Sequence, residues 1–303
     1  MIYQRDQSAL YKISSPQMLA DRLLISMEDL EGLLHDPDPY KRWIDKKTGR
    51  AIQEPRPRLA CIHRRIALLL SRIATPDYLH SARKGRSYIT NASVHGVETR
   101  CAKIDVRKFY PSARAQAVYH FFLDRMACAG DVAGMLSKLL TVDGHLPTGS
   151  SASPILSFFA YEDMFDELSI LAANAGCVMT VYVDDIVFSG HGAGRRIIYA
   201  AKKIIRSRHL HGHKTKVFRS GQPRIVTGAA VTSAGLRLPN RRQRSIAQDQ
   251  TLFENLLPSR EKLVVARRLA GRLYEASQID PGWRSSADRM AAQRDALHFA
   301  FGR

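Results

Sequence analysis

Apolar and polar positions along the chain follow two different periods, and each period predicts a different element. Apolar residues recur every three or four positions in several segments, which is typical of amphipathic helices. Serine residues precede some of these segments, and a serine is a favourable helix N-cap. Helices are predicted to begin after Ser15, Ser26 and Ser259 and to span 59–73, 113–128, 153–173 and 194–209.

Short apolar runs between these helices predict strands. "RCAKIDV" (100–106) and "RIVTGAAV" (224–231) are each typical of a single strand, and "CVMTVYVDDIVFSG" (177–190) of a strand, a tight turn and a second strand. "RWIDKKTGRAIQEP" (42–55) predicts a basic hairpin. The mixture predicts an α+β fold with antiparallel pairing at the tight turn. The basic, helical part from about residue 240 is expected to form a separate subdomain.

The charge of the chain points to a polyanionic partner. Its 46 Lys and Arg residues outnumber 28 Asp and Glu residues, which gives a formal net charge of +18 over 303 residues. Nucleic acid is the favoured partner. A membrane surface is the alternative, but no segment has the roughly 18 apolar residues of a membrane span, and the N-terminus does not resemble a signal peptide. Four cysteines without a CxxC pair predict neither zinc nor disulfides and indicate the reducing cytoplasm.

Two adjacent aspartates interrupt an apolar strand pattern. Asp184 and Asp185 stand between apolar residues, where carboxylates are costly to desolvate and repel each other. Bound cations would offset both effects, because Mg²⁺ prefers oxygen ligands and two such ions support phosphoryl transfer. Asp105, at the end of "KID", offers a third carboxylate. Alone, the pair is more typical of an acidic β-turn; the third aspartate and the basic charge reverse this and favour the metal site.

The order of three motifs resembles that of reverse transcriptases. "KIDVRKFYPS", "LPTGSSASPILS" and "YVDD" follow one another as the corresponding motifs do in that family. The resemblance implies a right-hand polymerase, with N-terminal helices and fingers in 1–98, a palm in 99–236 that includes part of the fingers around 113–150, and a basic helical thumb in 237–303. It also implies that Asp105, Asp184 and Asp185 are catalytic and bind two Mg²⁺ ions.

Further residues take roles from this resemblance, position by position. Tyr110 stands five residues after the first aspartate, where the family places the steric gate that excludes the 2′-OH of a ribonucleotide. Gly149 belongs to the segment near the incoming nucleotide, and Thr148 stands where the family commonly has Gln. Lys214 and Arg50 resemble the residues that approach the triphosphate. The alternatives are that Tyr110 is a core aromatic and that the basic residues belong to a solvated surface.

Two segments narrow the resemblance to bacterial retron reverse transcriptases. Asn91 and His95 form an NAxxH pattern before the first aspartate motif, and Val226, Thr227 and Gly228 form a VTG pattern after the lysine motif. The resemblance implies that these segments help to recognise a cognate structured non-coding RNA, for which hydrogen bonds to sugar, phosphate and bases are suited. Without it, the His is typical of a buried structural residue, and the Thr-Gly pair of a bulge.

Two more features bear on this interpretation. The predicted C-terminal helix carries Arg267 and Arg268, which are expected to contact the backbone of an RNA duplex. Val183 departs from the alanine that retron enzymes usually carry in their YADD motif.

The resemblance implies an enzyme that binds its own RNA and copies part of it into single-stranded DNA from dNTPs. Priming from a guanosine 2′-OH would give a branched RNA–DNA product, and a separate effector protein would act with it in anti-phage defence. The length is expected to leave no room for a maturase or endonuclease module. The alternatives are a catalytically silent RNA-binding scaffold and a reverse transcriptase of the group II intron or diversity-generating type.

Overall fold

The computed structural model describes residues 2–302, which divide into two compact units. The first unit contains the chain up to Ser87 and Cys101–Val217. The second contains Tyr88–Arg100 and the chain from Phe218 onward. The second unit is therefore discontinuous in sequence, because a short segment before the first aspartate belongs to it.

Helices and strands are interspersed along the described part of the chain. The helices are α1 Pro16–Leu23, α2 Met27–Leu34, α3 Pro57–Leu70, α4 Tyr88–Ser93, α5 Phe109–Ser112, α6 Ala115–His120, α7 Gly130–Leu140, α8 Ser153–Ala160, α9 Glu162–Asn174, α10 Arg195–Ser207, α11 Asn240–Asn255, α12 Arg260–Ile279 and α13 Arg284–Phe301. The strands are β1 Tyr40–Ile44, β2 Ala51–Pro55, β3 Cys101–Val106, β4 Cys177–Tyr182, β5 Asp185–Gly190, β6 Gly212–Phe218, β7 Arg224–Val226, β8 Ala229–Thr232 and β9 Gly235–Arg237. The mixed α and β composition with antiparallel sheets confirms the predicted fold class.

The first unit is built on a four-stranded sheet in the order β4-β5-β3-β6. Strand β5 pairs antiparallel with both β3 and β4, and its residues from Ile186 to Gly190 are buried. The apolar core of the first unit includes Phe122, Phe165 and Phe188, each at most 2% exposed. Such a core fixes the strands that carry the aspartates. A separate hairpin joins β1 and β2, as predicted.

The second unit combines a three-stranded sheet, β7-β8-β9, with helices α11, α12 and α13. Leu269 and Ala270 of α12 are fully buried in its own apolar cluster. The C-terminal helices were predicted from about residue 240, and α11 begins at Asn240. Residues 2–302 contain no helix with the length and hydropathy needed to cross a membrane. The three-part division of the chain made from the sequence stays a prediction.

The predicted helix starts are confirmed by their caps. The hydroxyl oxygens of Ser15, Ser26 and Ser259 each accept a hydrogen bond from the backbone N–H three residues later. This bond satisfies one of the amide groups that a helix leaves unpaired in its first turn.

Three elements that the sequence predicted as single helices or strands are divided in the structure. The helix over 153–173 is two helices, because Tyr161 leaves the helical conformation and its hydroxyl accepts a hydrogen bond from the Arg114 backbone N–H at 3.2 Å. The helix over 113–128 changes from α6 to one π-helical turn, Phe121–Arg125. The single strand over 224–231 is a hairpin of β7 and β8, because Thr227 and Gly228 both have positive φ, as a tight hairpin turn requires.

Candidate active site

The three predicted catalytic aspartates lie at one end of the central sheet. The Cα atoms of Asp105 on β3 and Asp185 on β5 are paired directly across the antiparallel ladder. Asp184 lies in the turn before β5, and its carbonyl accepts a hydrogen bond from the Val106 N–H at 2.9 Å. Two strands and one turn therefore bring together aspartates that stand about 80 positions apart in the sequence.

The turn between β4 and β5 has an unusual backbone at Val183. This residue has a φ of 58°, a region that a β-branched side chain rarely adopts. Its N–H donates to the hydroxyl of Ser81 at 3.0 Å, so a neighbouring segment holds the turn in place. The strained valine sits next to Asp184, as strained residues often do at functional sites.

Burial and mutual repulsion disfavour the charged form of these carboxylates. The pKa of Asp184 is raised to about 6, first by burial and then by the negative charges of Asp105 and Asp185, while Arg50 opposes the shift. Burial also raises the pKa of Asp185, and Lys103 is the main opposing charge. A bound cation would offset this concentrated negative charge.

The donor set fits Mg²⁺ in its chemistry, although the carboxylates do not converge on a preformed metal centre. All three donors are carboxylate oxygens, which Mg²⁺ prefers. Within residues 2–302, no group of three or more His, Cys, Asp or Glu side chains is arranged to hold a metal ion. His213 Nε2 instead donates a hydrogen bond to Asp105 Oδ1, and the Nζ of Lys214 lies 4.0 Å from Asp105 Oδ2. The assignment of the three aspartates as metal ligands thus stays a prediction.

Tyr110 lies beside this end of the sheet on α5. Its ring stacks on Phe109, with centroids 6.2 Å apart, and Phe109 is 3% exposed. Burial raises the pKa of the Tyr110 hydroxyl, and the charge of Asp184 contributes to the shift. The ring is therefore neutral, backed by the core and close to the aspartates, which suits a side chain that acts by its shape.

The β1–β2 hairpin, which carries Arg50, is anchored by Thr148 and Gly149. The Thr148 hydroxyl accepts a hydrogen bond from the Gln53 N–H at 3.1 Å and donates to the Ala51 carbonyl at 2.9 Å. The Gly149 N–H donates to the Gln53 carbonyl at 3.0 Å, and a Cβ on Gly149 would lie only 2.9 Å from that oxygen. Thr148, the departure from the usual Gln, thus ties the segment that precedes α8 to β2.

The NAxxH segment (91–95) and the VTG segment (226–228), called here the retron-type segments, contact each other within the second unit. Asn91 Nδ2 donates to the Thr227 hydroxyl at 3.1 Å, and that hydroxyl donates to the Tyr88 carbonyl at 3.1 Å. Asn91 and His95 are fully buried, and so is Val226. Their side chains are therefore not exposed in this conformation, and their assignment as RNA-binding residues stays a prediction. Thr227 and Gly228 are half-buried and stay candidates.

The predicted basic face of α12 is partly used within the protein. Arg268 forms hydrogen bonds to both carboxylate oxygens of Asp249, at 2.7–3.0 Å, and Arg272 contacts the same carboxylate at 2.7 Å. Asp249 on α11 is 6% exposed, so these arginines join two helices. Arg267 Nη2 donates to His298 Nδ1 at 2.9 Å.

The sequence patterns did not indicate the contacts that His213 and Arg242 make at these sites. His213 lies one residue before the predicted Lys214, and only the pairing of β6 with β3 shows that it reaches Asp105. Arg242 contacts Tyr88, three residues before Asn91, although about 150 residues separate them in the chain. No local pattern marks either residue, since both contacts depend on tertiary structure.

Comparisons with known proteins support the motif-based resemblance. No family model matches the chain. Relatives include the Retron Se72 reverse transcriptase of Salmonella heidelberg (31% identical, over 47% of this chain and 38% of the relative) and the Retron Mx65 reverse transcriptase of Myxococcus xanthus (27%, over 83% and 63%). The Retron Ec86 reverse transcriptase of Escherichia coli is 22% identical over 69% of this chain and 68% of the relative. The chain thus spans less than two thirds of the length of the first two. The resemblance predicted from the motifs is confirmed: this chain is a relative of the retron reverse transcriptases.

Proposed function

We propose that this protein is an RNA-directed DNA polymerase of the retron type. One observation carries the proposal: Asp105 and Asp185 face each other on neighbouring strands with Asp184 in the adjoining turn, in a chain related to retron reverse transcriptases. The α+β fold agrees with it. The predicted fingers (1–98), palm (99–236) and thumb (237–303) belong to the same proposal.

The reaction proposed is nucleotidyl transfer. A primer hydroxyl loses its proton and attacks the α-phosphate of a dNTP, a phosphodiester forms, and pyrophosphate leaves. Asp105, Asp184 and Asp185 would hold two divalent cations, which when bound activate the attacking hydroxyl and stabilise the leaving oxygen. Reverse transcriptases generally use divalent metal ions, and we propose Mg²⁺ for this site.

The protein's own residues would position the nucleotide. Arg50, on the hairpin anchored by Thr148, and Lys214, beside Asp105, would bind the triphosphate by charge. Tyr110 would lie against the sugar and exclude a 2′-OH by contact. Its support comes from Phe109 and from its position beside Asp184.

The proposed substrate is a cognate structured non-coding RNA, part of which is copied into single-stranded DNA. The protein's net charge of +18 supports binding to a polyanion. Priming from a guanosine 2′-OH to give a branched product, and a role in anti-phage defence with a separate effector protein, are proposed from the family resemblance. The NAxxH and VTG segments, which resemble those of retron enzymes, and the similarity to retron reverse transcriptases support the retron type over the group II intron and diversity-generating types.

Primer extension tests the polymerase proposal. The full chain is incubated with a DNA primer annealed to an RNA template, with dNTPs and Mg²⁺; we expect extension to the template end, and its loss with EDTA. No extension on RNA or DNA templates would support the silent scaffold instead. Sequencing the copurifying nucleic acid tests the type: a single structured RNA joined through a 2′-linkage to DNA is expected. An intron RNA, or RNA of random origin, would contradict it.

A further inference from the structure

A small pocket in the second unit lies between the start of α11 and the C-terminal half of α12. It has a volume of about 220 Å³ and is lined by Leu238, Arg242, Ser245, Ile246, Arg272 and Glu275. This volume is below the roughly 300–1,000 Å³ of pockets for drug-sized ligands, so it suits a smaller group. Two guanidinium groups, a hydroxyl and a carboxylate line it, and two aliphatic side chains complete it.

The fork of Arg242 is held rigidly at this pocket. Its guanidinium lies 5.1 Å from the centre of the Tyr88 ring, and its Nη1 donates to the Tyr88 hydroxyl at 3.1 Å and to Glu275 at 3.0 Å. The side chain is still 34% exposed. A guanidinium fixed in this way loses less conformational entropy when it binds a phosphate.

The two retron-type segments build the support for this arginine. The carbonyl of Tyr88 accepts a hydrogen bond from Thr227, which also binds Asn91. A Cβ on Gly228 would lie 2.9 Å from Arg242 Nη2, and Gly228 has a φ of 95°. The glycine thus provides both the turn and the space that the Arg242 side chain needs. The motif residues thus lie directly against Tyr88 and the Arg242 side chain.

The remaining lining adds attraction for an anion. Arg272 is fixed by the Ser245 carbonyl at 2.7 Å and by Asp249. Helix α11 begins at Asn240 without a side-chain cap, so the positive end of a 16-residue helix lies near Arg242. Glu275 Oε1 accepts hydrogen bonds from the Tyr88 hydroxyl and from Arg242, so its Oε2 is the acceptor offered to the 2′-hydroxyl of a ribose, a group that DNA lacks.

We infer that this pocket binds one phosphate–ribose unit of an RNA strand, with Arg242 and Arg272 on the phosphate and Glu275 facing the 2′-OH. The inference rests on the proposed function for its RNA, and it makes Asn91, Thr227 and Gly228 positioning residues. It explains how buried residues can influence RNA binding.

Binding of short oligonucleotides tests the pocket. The probes are a fluorescent 12-nucleotide oligo(U) RNA and the matching deoxy-oligonucleotide, titrated with the full chain at several salt concentrations. Arg242→Gln is compared with Arg241→Gln, since Arg241 is an exposed neighbour on the same helix that does not line the pocket. We expect Arg242→Gln to weaken RNA binding about 5–10-fold and to reduce the salt slope by about 0.7, and Arg241→Gln to change affinity less than about 2-fold.

The other outcomes separate this inference from the polymerase proposal. Equal effects of the two substitutions would overturn the pocket, and so would equal losses for RNA and DNA. Circular dichroism and thermal melting would check that both variants fold. Arg242→Lys keeps the charge but not the planar guanidinium, so it should recover only part of the affinity for RNA. Wild-type protein that binds RNA through Arg242 but extends no primer would overturn the polymerase proposal alone. Primer extension with identical binding by both variants would overturn the pocket alone.

Discussion

Asp105 and Asp185 are paired directly across antiparallel strands, with Asp184 in the turn beside them. Burial first, and the negative charges of Asp105 and Asp185 second, raise the pKa of Asp184 to about 6. A group whose pKa is raised on folding binds protons more tightly in the folded state. The ionised form of Asp184 thus lowers the stability of the metal-free protein.

Asp184→Asn should stabilise the metal-free protein at neutral pH. The gain should be absent below about pH 3.8, the ordinary pKa of Asp, grow up to about pH 6, and stay constant above it. We expect it to reach about 1–3 kcal/mol in the free energy of unfolding, measured by urea denaturation with EDTA. Asp6→Asn, at an exposed carboxylate, is the matched control. A less stable Asn variant at pH 7.5 would contradict the destabilising effect assigned to the ionised Asp184 carboxylate.

His213 should orient Asp105 through its hydrogen bond. Outer partners of metal ligands typically contribute 10–100-fold to metal affinity or activity. His213→Ala is therefore expected to raise the Mg²⁺ concentration needed for half-maximal primer extension at least several-fold. The Mg²⁺-dependent rise in Tm should shift to higher concentrations in parallel. His211→Ala, at an exposed histidine two residues away, should leave both curves in place; matching shifts in the two variants would remove the role of His213.

Thr148 should fix the hairpin that carries Arg50. Thr148→Val keeps the shape but removes both hydrogen bonds to β2, each worth about 0.5–1.5 kcal/mol. The expected result is a KM for dNTP raised about 3–10-fold with a smaller change in kcat. Thr148→Ser restores the hydroxyl and should behave like the wild type. A KM unchanged in Thr148→Val would mean that the anchor does not affect nucleotide binding.

Tyr110 should select deoxyribonucleotides by the shape of its ring. Tyr110→Ala should raise ribonucleotide incorporation relative to deoxyribonucleotide incorporation about 10-fold or more, because the space for a 2′-OH opens. Tyr110→Phe keeps the ring on Phe109 and should keep the selectivity. Single-nucleotide incorporation with dUTP and UTP gives the ratio. If Tyr110→Ala loses activity but not selectivity, the residue supports the core and the gate lies elsewhere.

The sequence predicted features that depend on local rules. Ser15 and Ser26 as caps, and the strands on both sides of the paired aspartates, follow from capping and from the two-residue period of strands. The break at Tyr161 was not predicted, because no local pattern marks it; the Tyr161 hydroxyl contacts the Arg114 backbone, 47 residues earlier.

The site was predictable to a similar extent. Its aspartates were found because the motifs keep their order, whereas the burial of Asn91 and His95 depends on packing within the second unit. The contact of His213 with Asp105 depends on β6 joining the sheet beside β3. Motif patterns indicate which residues matter, but not whether a residue touches the substrate or supports one that does.

The central claim is that these three aspartates catalyse RNA-templated DNA synthesis. The most direct measurement is the rate of primer extension on an RNA template by wild type, Asp185→Asn and the control Asp6→Asn, together with RNA binding by each. We expect Asp185→Asn to lose at least about 100-fold in rate while it stays folded and binds RNA like the wild type, because RNA affinity comes mostly from Lys and Arg contacts. Asp6→Asn should keep the wild-type rate. Extension by purified Asp185→Asn at the wild-type rate would contradict the catalytic role of the aspartates.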